Sequence, residues 1–377
     1  MRARLLCLAI ATGCGAGPTD PAPASAAPDP TAPHPSPPAV PGPDDGGDAP
    51  STPDADTTPE SEPASVPDVP PPTPTEPDPL TLDTTHSTSV GSPTSGKLEG
   101  SVALPREAPG LQLLPRKGSG SRYGTFELVQ GLVRAAAAVD EASPGAPVSL
   151  GDLSRQDGGD ISGHASHRSG RDVDVLFYLL RDDGKPFTPA KFIPLDPDGR
   201  GTDYGDLTDP ADDVPVHIDV ARTWLFVAAL LADTTASVQR ILVVEHLRSL
   251  LLAEAKRVGA PPAVVQRFSD VTCQPRFPHD DHMHIRVFCS ADDIGAGCED
   301  TPPVFPWRAR ELKAQGTKAV LAGRNTAAAD TTKRKPKLKT LEQARAEAGP
   351  MHEDVVEFLD RRKAWAKKPR PGRRWCR

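Results

Sequence analysis

Two short segments concentrate the side chains that bind metals and move protons. The first is Ser162-Gly163-His164-Ala165-Ser166-His167-Arg168-Ser169-Gly170-Arg171-Asp172-Val173-Asp174, and the second is His279-Asp280-Asp281-His282-Met283-His284-Ile285-Arg286. Five of the chain's ten histidines fall in them. Side chains alternate across a β-strand, so Asp172 and Asp174 share one face and Val173 and Val175 the other; His282, His284 and Arg286 likewise stand opposite Met283, Ile285 and Val287. Each strand therefore carries a polar row, and neighbouring strands would bring the rows within reach of one ion. Two neutral imidazoles and one carboxylate, with a fourth position open to water, are a hydrolytic zinc donor set. A single carboxylate leaves such a site net positive, which acidifies bound water. The plain alternative, exposed polar faces with histidines in loops, does not account for two clusters in register.

The surrounding pattern says what must hold these rows. Thr125 is placed to cap a helix in which Phe126, Val129, Leu132, Val133 and Ala136 recur at helical spacing. Helices are also expected over Asp219–Ala232, Leu247–Val258 and Ala263–Val271, with a short one over Met351–Ala366; strands are expected over Asp172–Tyr178, Val238–Glu245 and His282–Phe288, and a short strand or loop over Val148–Leu153. From Arg181 to Val216 the sequence reads as a polar, Pro/Gly-rich excursion. Within it Asp196-Pro197-Asp198-Gly199-Arg200-Gly201-Thr202-Asp203 resembles a calcium loop in acid spacing but lacks the later ligands, and is expected to be a turn. The mixture predicts an α+β domain, a small antiparallel sheet with flanking helices.

The two ends differ in kind. About half of the 45 prolines precede residue 95, and between Gly15 and Gly96 there are 13 acidic residues and no Lys or Arg. Such a stretch buries too little apolar surface to offset its ordering entropy, and 15–98 is expected to be a disordered linker. Before it, Arg2 and Arg4, the apolar run Leu5–Ala11 and Ala11-Thr12-Gly13-Cys14 read as a lipoprotein-type export signal over 1–14, with Cys14 lipidated. No later run is apolar and long enough to span a membrane, so membrane contact is expected only through the lipid. Cys7 would leave with the signal. In an oxidising compartment the remaining cysteines suggest up to two disulfides, with Cys289 and Cys298 the expected pair; Cys273 and Cys376 are left open. The peptidase-like core is expected over 99–306. From Trp307 to Arg377 there are 20 basic and 8 acidic residues, a basic extension without an apolar face large enough for a second core.

The two site segments resemble a known family. His167-x6-Asp174 with His282-x-His284 is similar to the signature of the LAS metallopeptidases, which include D-alanyl-D-alanine peptidases and hedgehog domains. Gly163-His164-Ala165-Ser166-His167, Gly170-x-Asp172-Val173-Asp174 and His279-Asp280-x-His282-x-His284-x-Arg286, followed by Cys289, look specifically like penicillin-insensitive murein endopeptidases. The resemblance covers roughly Gly100 to Cys298. It implies a hedgehog/DD-peptidase-like zinc peptidase fold, one zinc per chain on His167, Asp174 and His284, and catalysis by His282. It also makes His164 and His279 active-site histidines. Asp172 and Arg286, with those two, are candidates for orienting ligands or holding a substrate carboxylate.

The expected function is a zinc-dependent endopeptidase of the periplasm or cell envelope that acts on D-alanyl-diamino-acid crosslinks of peptidoglycan. Its partners would be peptidoglycan peptides, with no nucleic acid. A D-Ala carboxypeptidase of the same fold and a non-catalytic, zinc-containing wall-binding lipoprotein are the alternatives. The acidic-Pro linker, the basic tail and the cysteine set depart from the usual enzyme.

Overall fold

The computed structural model describes residues 86–115, 120–161, 163–275, 277–323, 341–365 and 376. The expected signal, Cys14 lipidation site and linker up to residue 85 lie outside the described residues. Among the described residues no helix is long and apolar enough to cross a membrane.

The two polar rows meet as neighbours. Asp172–Val175 and Met283–Val287 pair antiparallel, with His284 opposite Asp174 and Arg286 opposite Asp172. Every residue of both strands is buried. The polar row is therefore an internal surface, where each group must find a partner or lose several kcal/mol of solvation, on the order of 2–7 kcal/mol for an uncharged one. On the opposite face Val173, Val175, Ile285 and Val287 enter the main core.

These strands sit in the middle of a seven-stranded sheet. From edge to edge it runs Thr272–Cys273, Val238–Leu242, Met283–Val287, Asp172–Val175, Val148–Leu150, Leu111–Leu113 and Glu107–Ala108. The expected small antiparallel sheet needs correction. Val238–Leu242 pairs parallel with Thr272–Cys273, and Leu111–Leu113 pairs parallel with Val148–Leu150. Each parallel step has a crossover helix: Phe126–Ala142 joins one pair, while Glu245–Arg257 and Pro262–Val271 join the other, which is the connection parallel strands require.

Two of the longer helices are capped by a side chain, the first of them at Thr125 as expected. The Thr125 hydroxyl accepts from the Leu128 amide, and the Asp219 carboxylate from the Arg222 amide, satisfying first-turn donors that have no intrahelical partner. Phe126–Ala142 buries Leu128, Val129, Leu132, Val133, Ala136 and Val139, and Val220–Ala232 buries Trp224, Phe226, Val227, Leu230 and Leu231.

The excursion after the first site strand is more ordered than its composition suggests. Leu179–Arg181, Pro186–Phe187, Arg200–Asp203 and Val214–Ile218 form a second, four-stranded antiparallel sheet. Strands of two to five residues with few buried positions leave no alternation to read. The acid-rich turn is a turn: Asp196 Oδ1 accepts the amides of Asp198 and Arg200.

Described structure continues on both sides of residues 99–306. Thr88–Ser92 and Ser95–Glu99 form a hairpin ahead of residue 99, joined to the 297–299 loop through Gly91 and Glu299. Beyond residue 306 the basic extension carries helices Pro306–Ala314, Leu341–Ala348 and Glu353–Trp365. Leu312 packs beside Cys289 and Cys298, and Val355 and Phe358 are buried. One buried apolar residue in the first of these helices and two in the last seat them on a surface that already exists. Cys289–Cys298 is disulfide-bonded as expected, and Cys376 is joined to Cys273.

Arg171 fastens these borders to the site strand. Its fully buried guanidinium donates to Asp300 Oδ1 at 2.9 Å, to the carbonyls of Val287 and Glu299, and to Ser89 Oγ. Gly170, just before it, has φ of 79°, and a Cβ there would lie 2.6 Å from Leu98 Cδ1, so glycine is required. Removing one partner of a buried ion pair costs about 3–5 kcal/mol. Asp300→Ala should therefore lower the unfolding free energy measured in urea by about that amount without changing the far-UV spectrum of the folded protein; a loss under about 1 kcal/mol would mean the neutral acceptors alone hold Arg171.

Candidate metal centre

Asp172 organises the buried row. Its Oδ1 takes His284 Nε2 at 2.8 Å and Arg286 Nε at 2.6 Å, and its Oδ2 takes the His167 amide at 3.1 Å. Burial opposes its charge, but Arg286 and His284 outweigh that and hold the carboxyl far below the usual carboxylate range. An ionised Asp172 only accepts, so His284 donates from Nε2 and turns a bare Nδ1 inward. His167 is fixed in the same sense. Its Nδ1 lies 2.9 Å from the Leu153 carbonyl, which can only accept, so Nε2 is left as the inward lone pair.

The two lone pairs and Asp174 converge. His167 Nε2 is 3.2 Å from His284 Nδ1, and each is 3.3 Å from Asp174 Oδ1. Bonds of about 2.0–2.1 Å in a tetrahedral metal centre separate neighbouring ligand atoms by roughly 3.3–3.4 Å. The triangle thus has the edge of one tetrahedral face. Asp174 Oδ1 is buried with no hydrogen-bond donor, the state expected of an oxygen whose partner is a cation. Burial works against the charge of Asp174, yet His167 and His282 hold its carboxyl well below the ordinary value.

His164, His167 and Asp174 also form a group able to hold a metal. The two triads share His167 and Asp174 and differ in the third donor. His164 turns Nδ1 toward the other Asp174 oxygen, at 3.8 Å, while its Nε2 is 3.0 Å from Asp152. The tighter edges favour His284 over His164 as the third donor.

His282 stands beside the triangle. Its Nδ1 is 2.6 Å from Asp281 Oδ1, and its Nε2 faces Asp174 Oδ1 at 3.5 Å. His279 lies against it, with ring centroids 4.7 Å apart, and Phe192 meets it edge-on at 4.9 Å. Burial, with His282 and His284 adding repulsion, pushes His279 down to about 3. Burial also opposes charge on His282, but Asp174 and Asp281 prevail and raise it to about 10. Among the described residues, the non-glycine positions with positive φ are His167 at 69° and His279 at 54°. Such conformations persist only where the surroundings over-determine them.

All the expected site residues, His164, His167, Asp172, Asp174, His279, His282, His284 and Arg286, are brought together here. Sequence reading did not find Asp152 and Asp281, which hold the outer nitrogens of His164 and His282. Asp281 adjoins His282 in the chain and so carried a signal; Asp152 carried none.

Comparison with known proteins bears on the same segments. The family described as penicillin-insensitive murein endopeptidase matches residues 89–198, a span that holds His164, His167, Asp172 and Asp174. The chain is similar to the penicillin-insensitive murein endopeptidases. It is 29% identical over 226 residues to the penicillin-insensitive murein endopeptidase of Klebsiella pneumoniae, covering 58% of this chain and 72% of that one. It is 28% identical over 221 residues to the protein of that name from Escherichia coli O157:H7, covering 57% and 70%. For that of Pectobacterium atrosepticum the identity is 29% over 217 residues, again covering 57% and 70%.

The electrostatics give a pH signature in the metal-free protein. A histidine raised from its ordinary value near 6.5 to about 10 stabilises the fold fully below the lower value. That contribution is lost as pH rises through the upper one. The thermal midpoint of metal-free protein should therefore fall between about pH 6.5 and about pH 10, and the fall should shrink in His282→Asn. Identical alkaline profiles for the two proteins would remove His282 as its source.

Proposed function

We propose that this chain is a zinc-dependent murein endopeptidase with a hedgehog/DD-peptidase-like fold, hydrolysing D-alanyl-diamino-acid crosslinks of peptidoglycan. One observation carries the reading: three inward donor atoms, two from histidines whose outer nitrogens are already bonded, form a face of tetrahedral size with a further histidine beside it. His167 Nε2, Asp174 Oδ1 and His284 Nδ1 would hold the ion. The chemistry a bound zinc supplies is Lewis acidity, polarising a carbonyl and acidifying water near neutral pH.

The protein's own groups do the rest. Asp172 and the Leu153 carbonyl fix the two ligand rings, so little reorganisation is needed when charge develops. Asp281 holds His282 Nδ1, which leaves Nε2 facing the site to take up or return a proton. The ligand side chains His167 and His284 are 1% and 7% exposed, while His164 and His282 are 21% and 12% exposed. A peptide therefore approaches from the His164–His282 side, past His279 and Phe192. Arg286 is engaged with Asp172, which favours an orienting part for both over direct capture of a substrate carboxylate.

Export to the cell envelope belongs to the same reading. Two disulfides suit an oxidising compartment, and the names of the relatives point to the wall as substrate. A lipid on Cys14 would place the enzyme at a membrane surface.

Zinc analysis alongside muropeptide digestion tests this. His167→Ala, Asp174→Ala and His284→Ala should each lose zinc and activity together, since each removes one of three ligands. His282→Ala should keep most of its zinc and lose roughly 10²- to 10⁴-fold in rate. Crosslinked dimers should yield monomers. Loss of a terminal alanine alone would make the protein a carboxypeptidase, and sacculus binding without any hydrolysis would reject catalysis altogether.

A further inference from the structure

The turn His279-Asp280-Asp281-His282 carries two site histidines but belongs to no strand or helix. It is held from outside by the C-terminal extension. The Asp280 carboxylate is fully buried and receives Arg362 through both oxygens, Nε to Oδ2 at 2.8 Å and the terminal nitrogen to Oδ1 at 2.7 Å. Trp365 Nε1 donates to Oδ2 at 3.1 Å. The same Arg362 nitrogen lies 3.9 Å from Asp281 Oδ2, and the other Asp281 oxygen holds His282 Nδ1. A chain of charge-assisted contacts thus runs from the last helix to the imidazole. A bidentate guanidinium–carboxylate pair fixes direction as well as distance.

The helix Glu353–Trp365 is itself seated firmly. Val355 and Phe358 are buried, the Phe358 ring meets Tyr204 and Trp365, and the Tyr204 hydroxyl donates to the Asp354 carbonyl. The His352 amide donates to the Leu207 carbonyl. Past the helix, Cys376 is bonded to Cys273, and its amide donates to the Gln274 carbonyl. The segment from Cys273 to His282 is thus gripped by the extension at its start, through the disulfide, and near its end, through Asp280. The core also donates to the turn itself, Leu195 amide to Asp280 carbonyl and Val244 amide to His279 carbonyl. His279 at positive φ is the kind of conformation that needs such over-determination.

We propose that Glu353–Trp365 is a positioning element of the site, in which Arg362, through Asp280 and Asp281, sets the orientation of His282. This rests on the proposed peptidase activity for its kinetic consequence, though not for its structural one. Arg362 touches neither the metal ligands nor a substrate; it acts through the turn. The last part of the basic extension is then a working part of the enzyme rather than a solvated appendage.

The test uses the full-length, zinc-loaded protein. Arg362→Met should lower kcat on a soluble crosslinked muropeptide by about 10- to 100-fold, with KM and zinc content within about twofold of wild type, a loss on the scale of misplacing a catalytic group. Arg362→Lys, which keeps the charge but not the fork, should recover only part of the rate. Arg361→Ala, one residue away and 62% exposed, should match wild type. Amide exchange supplies a readout independent of turnover. In Arg362→Met the Leu195 and Val244 amides should exchange at least about tenfold faster while Ile285 does not change, the mark of local rather than global opening. If Arg362→Met fails to fold, Trp365→Phe, which removes only the indole donor to Asp280, should show the same pattern at smaller size. Wild-type kcat in Arg362→Met or, where that does not fold, in Trp365→Phe, or exchange that rises equally at Ile285, overturns the proposal. A wild-type protein that cleaves no muropeptide would defeat the peptidase reading, and the exchange result would still decide whether the helix holds the turn.

Discussion

Asp172 is a carboxylate with no access to solvent whose oxygens are shared among a backbone amide, an imidazole and a guanidinium. Each of the three does something the others need. The amide belongs to His167 and holds that residue at positive φ, which swings its ring into the site. The imidazole is His284, whose Nε2–H donates to Asp172 and whose Nδ1 is thereby turned inward. Arg286 supplies the charge that lets a fully buried Asp172 stay ionised. Without that charge the carboxylate would tend to protonate, and its hold on both rings would weaken. The candidate metal centre is thus built from the outside inward: the two imidazoles are aimed by partners that lie outside the triangle of donor atoms.

The same economy explains why the site lies mid-sheet. Two strands buried on both faces can carry polar rows only if those rows satisfy one another, and the antiparallel register does this by setting His284 against Asp174 and Arg286 against Asp172. A slip of one residue would turn Val173 and Ile285 inward and bury the charges in the core. Arg171 guards that register from the strand's near end, tying it to the hairpin ahead and the loop behind.

Much of this was legible in the sequence wherever the signal was local. Alternation marked the two site strands, Thr125 and apolar spacing marked the helices, and the density of histidine and aspartate marked the site. What could not be read depends on partners far apart in the chain. The parallel pairing of Val238–Leu242 with Thr272–Cys273 carries no pattern distinct from an antiparallel one. The four-stranded sheet is made of strands too short to show a period. Asp152 reaches His164 only through the fold. The extension looked solvated because its apolar residues are few, yet Arg362 finds Asp280 across 82 positions. A charged surface helix and a docked one have the same composition; the difference lies in an acceptor waiting elsewhere.

The Cys273–Cys376 bond spans 103 positions and closes a covalent ring. Any single peptide bond cut inside that ring, including one between Gly323 and Leu341, opens the ring without releasing a fragment. A nicked chain would keep its last helix in place, migrate as one species on a denaturing gel, and fall into two only when a reductant is added. In surroundings rich in proteases, the age of a molecule would then be written in its reduced mass long before it was written in its fold.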